Sequence, residues 1–162
     1  MKKTKQSGFS LIELLIVVAI ILIIAAIAIP NLLASRMSAN ESSAAQESRN
    51  ITTAEVVYST QYNIGYAATL VSLGDSGGCG AGSVTSTNAC LIDSVLASGA
   101  KSGYNFVYAP TNPNAATQYE GFTINANPQS PGYSGRRHFY TDQTGVIRAN
   151  STAAASITDP AI

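Results

Sequence analysis

The sequence predicts an α+β fold, in which a long N-terminal α-helix packs by its second half on a small antiparallel β-sheet. Three observations support this prediction. Leu14 to Ile29 is a run of sixteen apolar residues. From Asn31 to Asn63 there is no glycine or proline, and apolar residues recur at helical spacing. From Tyr104 the apolar spacing changes to two, which is typical of half-buried strands.

The composition of the chain excludes several classes of protein. The chain has 162 residues, enough for one ordinary domain, and only 11% of them are charged. Nine basic and nine acidic residues give zero net charge, which argues against a nucleic-acid protein held by a basic face. One histidine and two cysteines are too few for a typical zinc site. A strongly charged binder, a metalloenzyme and a wholly soluble protein are therefore poor interpretations, and we expect no metal site.

The N-terminal segment combines a basic start with the apolar run. Residues 1–8 contain three lysines and no acid, so the start should stay on the cytoplasmic side of a membrane. One interpretation is a removable secretory signal ending at the small residues Ala26-Ile27-Ala28. Another is a retained anchor, since 21 residues from Phe9 to Ile29 form a helix of roughly 31 Å. The acidic Glu13 and the helix-compatible sequence beyond the run weigh against removal.

A more specific interpretation comes from the order of residues. Gly8-Phe9-Ser10-Leu11-Ile12-Glu13, the apolar run and Pro30 together closely resemble the class III signal of type IV pilins and their relatives. The resemblance implies that a membrane peptidase cleaves between Gly8 and Phe9 and that Phe9 is then N-methylated. It implies a leader at residues 1–8, a membrane-spanning or filament-core helix at 9–36 and a soluble head at 37–162.

Placing the acidic Glu13 in an apolar, membrane-spanning helix is unfavourable in free energy. An acid at mid-membrane costs about 2.5 to 3.5 kcal/mol, and less near the interface. An acid in the first turn of a helix is stabilised by ~0.3–1 kcal/mol, which explains why it is tolerated but not why it is there. The resemblance implies that Glu13 pairs with the α-amino group of Phe9 in a neighbouring subunit. Phe9, Glu13 and Pro30 are therefore the predicted assembly residues.

The long helix should continue past Pro30, where we expect a kink or a short unwound stretch. Gly65 is the predicted stop. A helix of about 55 residues is roughly 80 Å long, more than one small domain can cover, so lipid or other copies must cover its first half. The residues predicted to form one apolar stripe after Pro30 are Leu33, Met37, Ala44, Ile51, Ala54, Tyr58 and Tyr62.

The rest of the head divides into a loop region at 65–103, a sheet at 104–149 and a polar tail at 150–162. We expect a short helix from Asn88 to Leu96 that Gly99 ends. Three or four antiparallel strands should follow, with a hairpin turn at residues 142–145. Cys79 and Cys90 are the only cysteines, and in an exported head they should form a disulfide.

Three weaker motifs each have a structural and a functional interpretation. Gly74-Asp75-Ser76-Gly77-Gly78 matches the nucleophile loop of trypsin-like proteases, but the only histidine lies downstream, which favours a flexible loop. Arg136, Arg137 and His138 could contact DNA or another surface ligand, or simply begin a solvated strand. Tyr58, Tyr62 and Tyr66 could form an aromatic path along a filament, although core packing is the simpler explanation.

The resemblance therefore implies a major-type structural subunit of a type IV pilus, for which we expect no cofactor and no enzymatic activity. Its expected partners are other copies of itself, the prepilin peptidase and the pilus assembly machinery. Its expected location is the bacterial inner membrane before assembly and the cell surface afterwards, where the resemblance leaves twitching, adhesion, DNA uptake and electron transfer open as roles of the filament. Two alternatives are a pseudopilin of a type II secretion system and a membrane-anchored domain that does not polymerise.

Overall fold

The computed structural model describes residues 9–75, 79, 84–114 and 118–162. The predicted leader, including Gly8, lies outside these residues. The α+β prediction is confirmed: one long helix is followed by an antiparallel sheet. The chain divides into two compact units, which meet between Ser35 and Arg36. The elements are α1 (Leu11–Tyr62), α2 (Leu70–Leu73), α3 (Ser94–Ala97), β1 (Ala100–Lys101), β2 (Tyr104–Pro113), β3 (Tyr119–Pro128), β4 (His138–Asp142) and β5 (Arg148–Asn150).

Helix α1 runs through Pro30 without a break. Of the two predicted alternatives at this residue, a kink or a short unwound stretch, the unwound stretch was therefore wrong. Proline removes one backbone donor, but the turns on either side keep theirs, and the good helix formers Ala28, Leu32 and Leu33 lie within one turn of it. One missing hydrogen bond is then not enough to end a helix.

The part of α1 that belongs to the second unit has one buried face. Five of the seven predicted stripe residues are buried, whereas Leu33 and Tyr62 are partly exposed. The helix ends at Tyr62, and Asn63 and Gly65 follow with positive φ angles of 53° and 80°. A Cβ atom on Gly65 would lie 2.4 Å from the Tyr119 carbonyl oxygen, so this turn requires glycine.

The sheet has five antiparallel strands in the order β1-β2-β3-β4-β5. The prediction of three or four strands missed β1, whose two residues are too short to show a period. The turn after β4 is confirmed: Asp142 Oδ1 accepts the Thr144 N–H at 2.9 Å, and Gly145 has a φ of 73°. One face of the sheet and the buried face of α1 form a common core that includes Ala44, Ile51, Tyr58, Tyr104, Phe106, Phe122, Ile124 and Phe139.

The predicted helix at Asn88–Leu96 was wrong in its position. Residues 89–92 are not helical, because their backbone N–H groups bond to the carbonyls of Ser72, Leu73 and Gly74 instead. Helix α3 begins only after Asp93, whose side chain accepts the Leu96 N–H at 3.0 Å. Helix α2, which supplies those carbonyls, was not predicted at all.

The C-terminal residues are not a free polar tail. The Ala149 N–H donates to the Pro160 carbonyl, and the Ile162 N–H donates to the Ile147 carbonyl, each at 3.0 Å. Ala155 is buried. The segment after β5 therefore folds back on the sheet edge, which corrects the prediction of a polar tail over 150–162. The polar composition of residues 150–162 did not indicate this packing, because backbone groups make its hydrogen bonds.

Candidate functional site

The start of α1 holds the residues predicted to act in processing and assembly. Phe9 is 83% exposed. Ser10 is the N-cap, because its carbonyl accepts the first helical hydrogen bond, from Leu14. Glu13 Oε2 accepts the Ser10 backbone N–H at 3.0 Å, which is half of a capping box. The Glu13 carboxylate thus has a local role in starting the helix.

That local bond does not exhaust the acceptor capacity of Glu13. An ionised carboxylate offers about four lone-pair sites, and the capping contact uses one of them. A cation brought close by another molecule could therefore be bound at the same time. Within the chain, this geometry brings Glu13 next to the backbone of Ser10, and Phe9, the first described residue, lies directly after the predicted cleavage point.

The apolar run after Glu13 is exposed within the chain. Large side chains from Leu14 to Ile29 point outward on all sides of the helix, and its most apolar 18-residue window is 0% buried with a mean hydropathy of 3.3. Among the described residues, α1 is the one helix that is long and apolar enough to cross a membrane. Pro30 lies inside this helix, directly after the run.

Cys79 and Cys90 form a disulfide in the structure, with their Cα atoms 5.9 Å apart. Cys90 has a left-handed backbone with a φ of 54°, and its N–H donates to the Gly74 carbonyl at 3.2 Å. One ligand atom of Asp75 and the two sulfur atoms all lie within 4.8 Å of one another. Sulfur atoms that are bonded to each other are not thiolates, so this group is not a metal site while the disulfide is intact.

The basic cluster is engaged within the head. Arg137 Nε lies 2.7 Å from Glu41 Oε2, and Glu41 Oε1 accepts the backbone N–H groups of Arg136 and Arg137 at 2.8 and 3.2 Å. Burial alone would raise the pKa of the Glu41 carboxyl, but these bonds outweigh burial and lower it. The Arg137 guanidinium also lies over the Phe139 ring. Arg137 therefore fixes the loop before β4 to α1.

The other weak motifs have structural surroundings. Tyr58 and Tyr62 pack with ring centroids 4.9 Å apart, and Tyr66 packs edge-on against Phe122 at the same distance. These rings belong to or border the core, as the simpler explanation predicted. In the protease-like motif, Ser76 to Gly78 lie outside the described residues. His138 has its Nδ1 2.7 Å from Asn127 Oδ1 on the neighbouring strand.

Two functional features were not found from the sequence. Glu41 was not recognised as the partner of Arg137, because 95 residues separate Glu41 from the backbone that it binds. Glu55 is an acid on the buried face of α1, four residues after Ile51 and three before Tyr58. This helical spacing from two stripe residues was enough to predict from the sequence that Glu55 lies on the buried face of α1.

Comparison with known proteins identifies the N-terminal segment. Residues 3–29 match the Prokaryotic N-terminal methylation motif. The chain is also 71% identical over 34 residues to the Type IV wide pilus major component PilA4 of Thermus thermophilus. That match covers 21% of this chain and 26% of the relative, so the chain spans about a quarter of the relative's length. No solved structure matches. The N-terminal segment of this chain therefore matches the prokaryotic N-terminal methylation motif and is similar to the N-terminus of a type IV pilus component.

Proposed function

We propose that the chain is a structural subunit of a type IV pilus and polymerises through the first half of α1. The observation that carries the proposal is the apolar surface of Leu14 to Ile29, which lies within the segment that matches the methylation motif and is not covered by the described part of the chain. Each exposed large side chain would gain roughly 1.5 to 3 kcal/mol on full burial. Lipid covers this surface before assembly, and the helices of other subunits cover it afterwards.

Processing precedes assembly in this proposal. The prepilin peptidase cleaves between Gly8 and Phe9, and the new α-amino group of Phe9 is methylated. The helix at residues 9–36 then serves as anchor and filament core, and the head at 37–162 faces the outside. Lys2, Lys3 and Lys5 leave with the leader, which removes the positive charge that held the start in the cytoplasm.

Glu13 gives assembly its register in this proposal. The capping contact with Ser10 leaves lone pairs for the α-amino group of Phe9 on a neighbouring subunit. At ~4 Å and an effective dielectric of about 20, that attraction is about 4 kcal/mol before desolvation. The same carboxylate would thus start its own helix and pair with the next subunit.

The direct test is the identity of the mature N-terminus and of the surface fibres. Mass spectrometry should find an N-terminus at methylated Phe9, and electron microscopy of sheared material should show long fibres made of this chain. An N-terminus near Ile29 would mean a secretory signal and overturn the proposal. If the chain is cut before Phe9 but is scarce and absent from fibres, it is a pseudopilin. If the chain stays uncut in the membrane, it is a plain anchor.

Glu13→Gln tests the pairing. Glutamine keeps an acceptor for the Ser10 N–H but leaves the neighbour's α-amino group without a negative partner, and breaking one side of a buried pair costs about 3 to 5 kcal/mol. Fibre yield should fall severely while cleavage continues. Glu120→Gln, on an exposed residue of β3, is the matched control. Normal fibres from Glu13→Gln would exclude the pairing, and loss of cleavage would transfer the role of Glu13 to peptidase recognition.

A further inference from the structure

Glu55 is the most deeply buried acid in the described part of the chain. It lies on α1 within the head and is 0% exposed. Its Oε2 atom accepts the backbone N–H of Ala67 at 2.9 Å. Its Oε1 atom is also buried and has no hydrogen-bond partner among the described residues. The carboxyl group therefore holds the connection between α1 and α2 with one oxygen and leaves the other unsatisfied.

The titratable groups that face Glu55 are tyrosines. Tyr108 of β2 interacts with the carboxyl and donates its hydroxyl to the Ala67 carbonyl at 2.7 Å. Tyr58 lies one turn along α1 and packs against Tyr62, and Tyr119 of β3 interacts electrostatically with Tyr108. No lysine, arginine or histidine in the described part of the chain contributes to its surroundings. A negative charge on Glu55 would thus be buried without a cation.

We propose that Glu55 is a pH-sensitive latch on the 63–69 connection, which a neutral carboxyl group keeps closed and an ionised one loosens. A neutral carboxyl can still accept the Ala67 N–H and carries no charge to desolvate. An ionised carboxylate needs several donors, and among the described residues its oxygens receive only the Ala67 N–H, because the Tyr108 hydroxyl donates to the Ala67 carbonyl. Water can solvate Oε1 only if the 63–69 connection separates from β2. The inference concerns the head and does not depend on filament assembly.

The direction of the pH effect follows from burial. Burial raises the pKa of Glu55 from 4.5 to about 7, and the nearby Tyr108 hydroxyl and the hydrogen bond from Ala67 only partly oppose this. Below pH 4.5 the carboxyl is neutral in both the folded and the unfolded state. Between 4.5 and about 7 only the unfolded state is ionised, so folding weakens by roughly tenfold per pH unit. Above that range both states are ionised and this group adds no further change.

Unfolding of the full chain in detergent, followed from pH 5 to 8.5, tests the latch. The native chain should lose stability relative to Glu55→Gln by roughly tenfold per pH unit up to about pH 7, because glutamine has the same shape and cannot ionise. Comparison with this variant cancels the effect of the other carboxyls. Glu120→Gln should follow the native profile. Native and Glu55→Gln profiles that run parallel would overturn the proposal.

A second measurement needs no substitution that could prevent folding. The chain contains five glutamates, and NMR of chains with ¹³C-labelled glutamate carboxyls reports each titration. One signal should titrate near pH 7, and it should persist in Glu13→Gln, which removes the other glutamate in apolar surroundings. Amide exchange at Ala67, corrected for its intrinsic pH dependence, should lose protection over the same range. If every glutamate titrates below pH 6, or if the signal disappears in Glu13→Gln, the latch is excluded.

Discussion

The two halves of α1 have the same backbone and opposite surroundings. From Leu11 to Leu32, the large apolar side chains are mostly 46% to 79% exposed. From Arg36 to Tyr62 the helix has one buried face, where Ala44 and Ile51 are 0% exposed, and an opposite face of polar residues. An apolar surface on all sides cannot be covered by one small sheet, whereas an apolar stripe can. Helix propensity therefore explains why α1 is one continuous helix. The distribution of apolar residues explains why its two halves have different surroundings.

This difference implies that stability and assembly are separable. Substitutions in the second half should change the free energy of unfolding of the head. Substitutions in the first half should change insertion and polymerisation instead. The predictions below test this separation, and each is measured on the full chain in detergent.

An isoleucine-to-alanine substitution in each half should give the largest difference in the free energy of unfolding. Ile51→Ala removes a fully buried side chain and should lower the free energy of unfolding by about 2 to 5 kcal/mol. Ile21→Ala removes a side chain that is 58% exposed and should change it by less than about 0.5 kcal/mol. Denaturant unfolding measures both. Equal losses would show that the two halves unfold as one packed unit.

The disulfide should give the next largest effect. Cys79→Ser with Cys90→Ser opens a loop of twelve residues and should lower the free energy of unfolding by roughly 3 kcal/mol. Reduction of the native chain should have the same effect, and thiol titration of purified native protein should detect no free thiol. Unchanged unfolding after reduction would show that the loop contributes little to the head, and two free thiols would show that the bridge does not form.

Glu41 and Glu13 are acids in opposite halves of α1. Glu41→Gln weakens three contacts to Arg136 and Arg137 and should lower the free energy of unfolding by about 1.5 to 3 kcal/mol at neutral pH. Because the pKa of Glu41 is lowered, its stabilisation is present above pH 4.5 and is lost as the pH falls through the lowered pKa.

Unfolding of Glu41→Gln between pH 2 and 7 measures this loss, and Glu13→Gln is its control. Glu13→Gln should leave the unfolding of the head unchanged. A similar loss in both variants would contradict the separation of the two halves.

The smallest effect should come from Lys101. Its Nζ atom lies 2.7 Å from both Glu47 and Asp93, and these contacts join α1 to the segment before α3. Lys101→Gln should lower the free energy of unfolding by about 0.2 to 1 kcal/mol per pair, and the loss should shrink in high salt. Arg49→Gln, at an exposed position on α1, is the control. A loss that is independent of salt would point to packing of the Lys101 stem.

Elements with a strong local pattern were predictable. The apolar run, the stripe on α1, the alternation in β2 and β3 and the turn at Gly145 each depend on neighbours within a few residues. Elements fixed by distant partners were missed. Helix α2 has only four residues, and the backbone bonds between residues 89–92 and its last turn displaced the predicted helix.

The candidate assembly site shows the same division. The order of Gly8, Phe9, Glu13 and the apolar run was enough to identify the methylation motif, because all its residues are contiguous in the sequence. The bond between Glu13 and Ser10 is also local, and helix capping rules cover it.

The sequence by itself determined the N-terminal motif, the continuous helix and the strand periodicity, since each is a property of residues close together in the chain. Only the tertiary structure decided which polar groups are buried and what they bind. It placed Glu55 beside Ala67 and Tyr108, Glu41 beside Arg137, and the C-terminal residues on the sheet edge. These contacts join residues up to 96 positions apart, and their energies depend on burial and distance in space, which spacing along a chain does not contain.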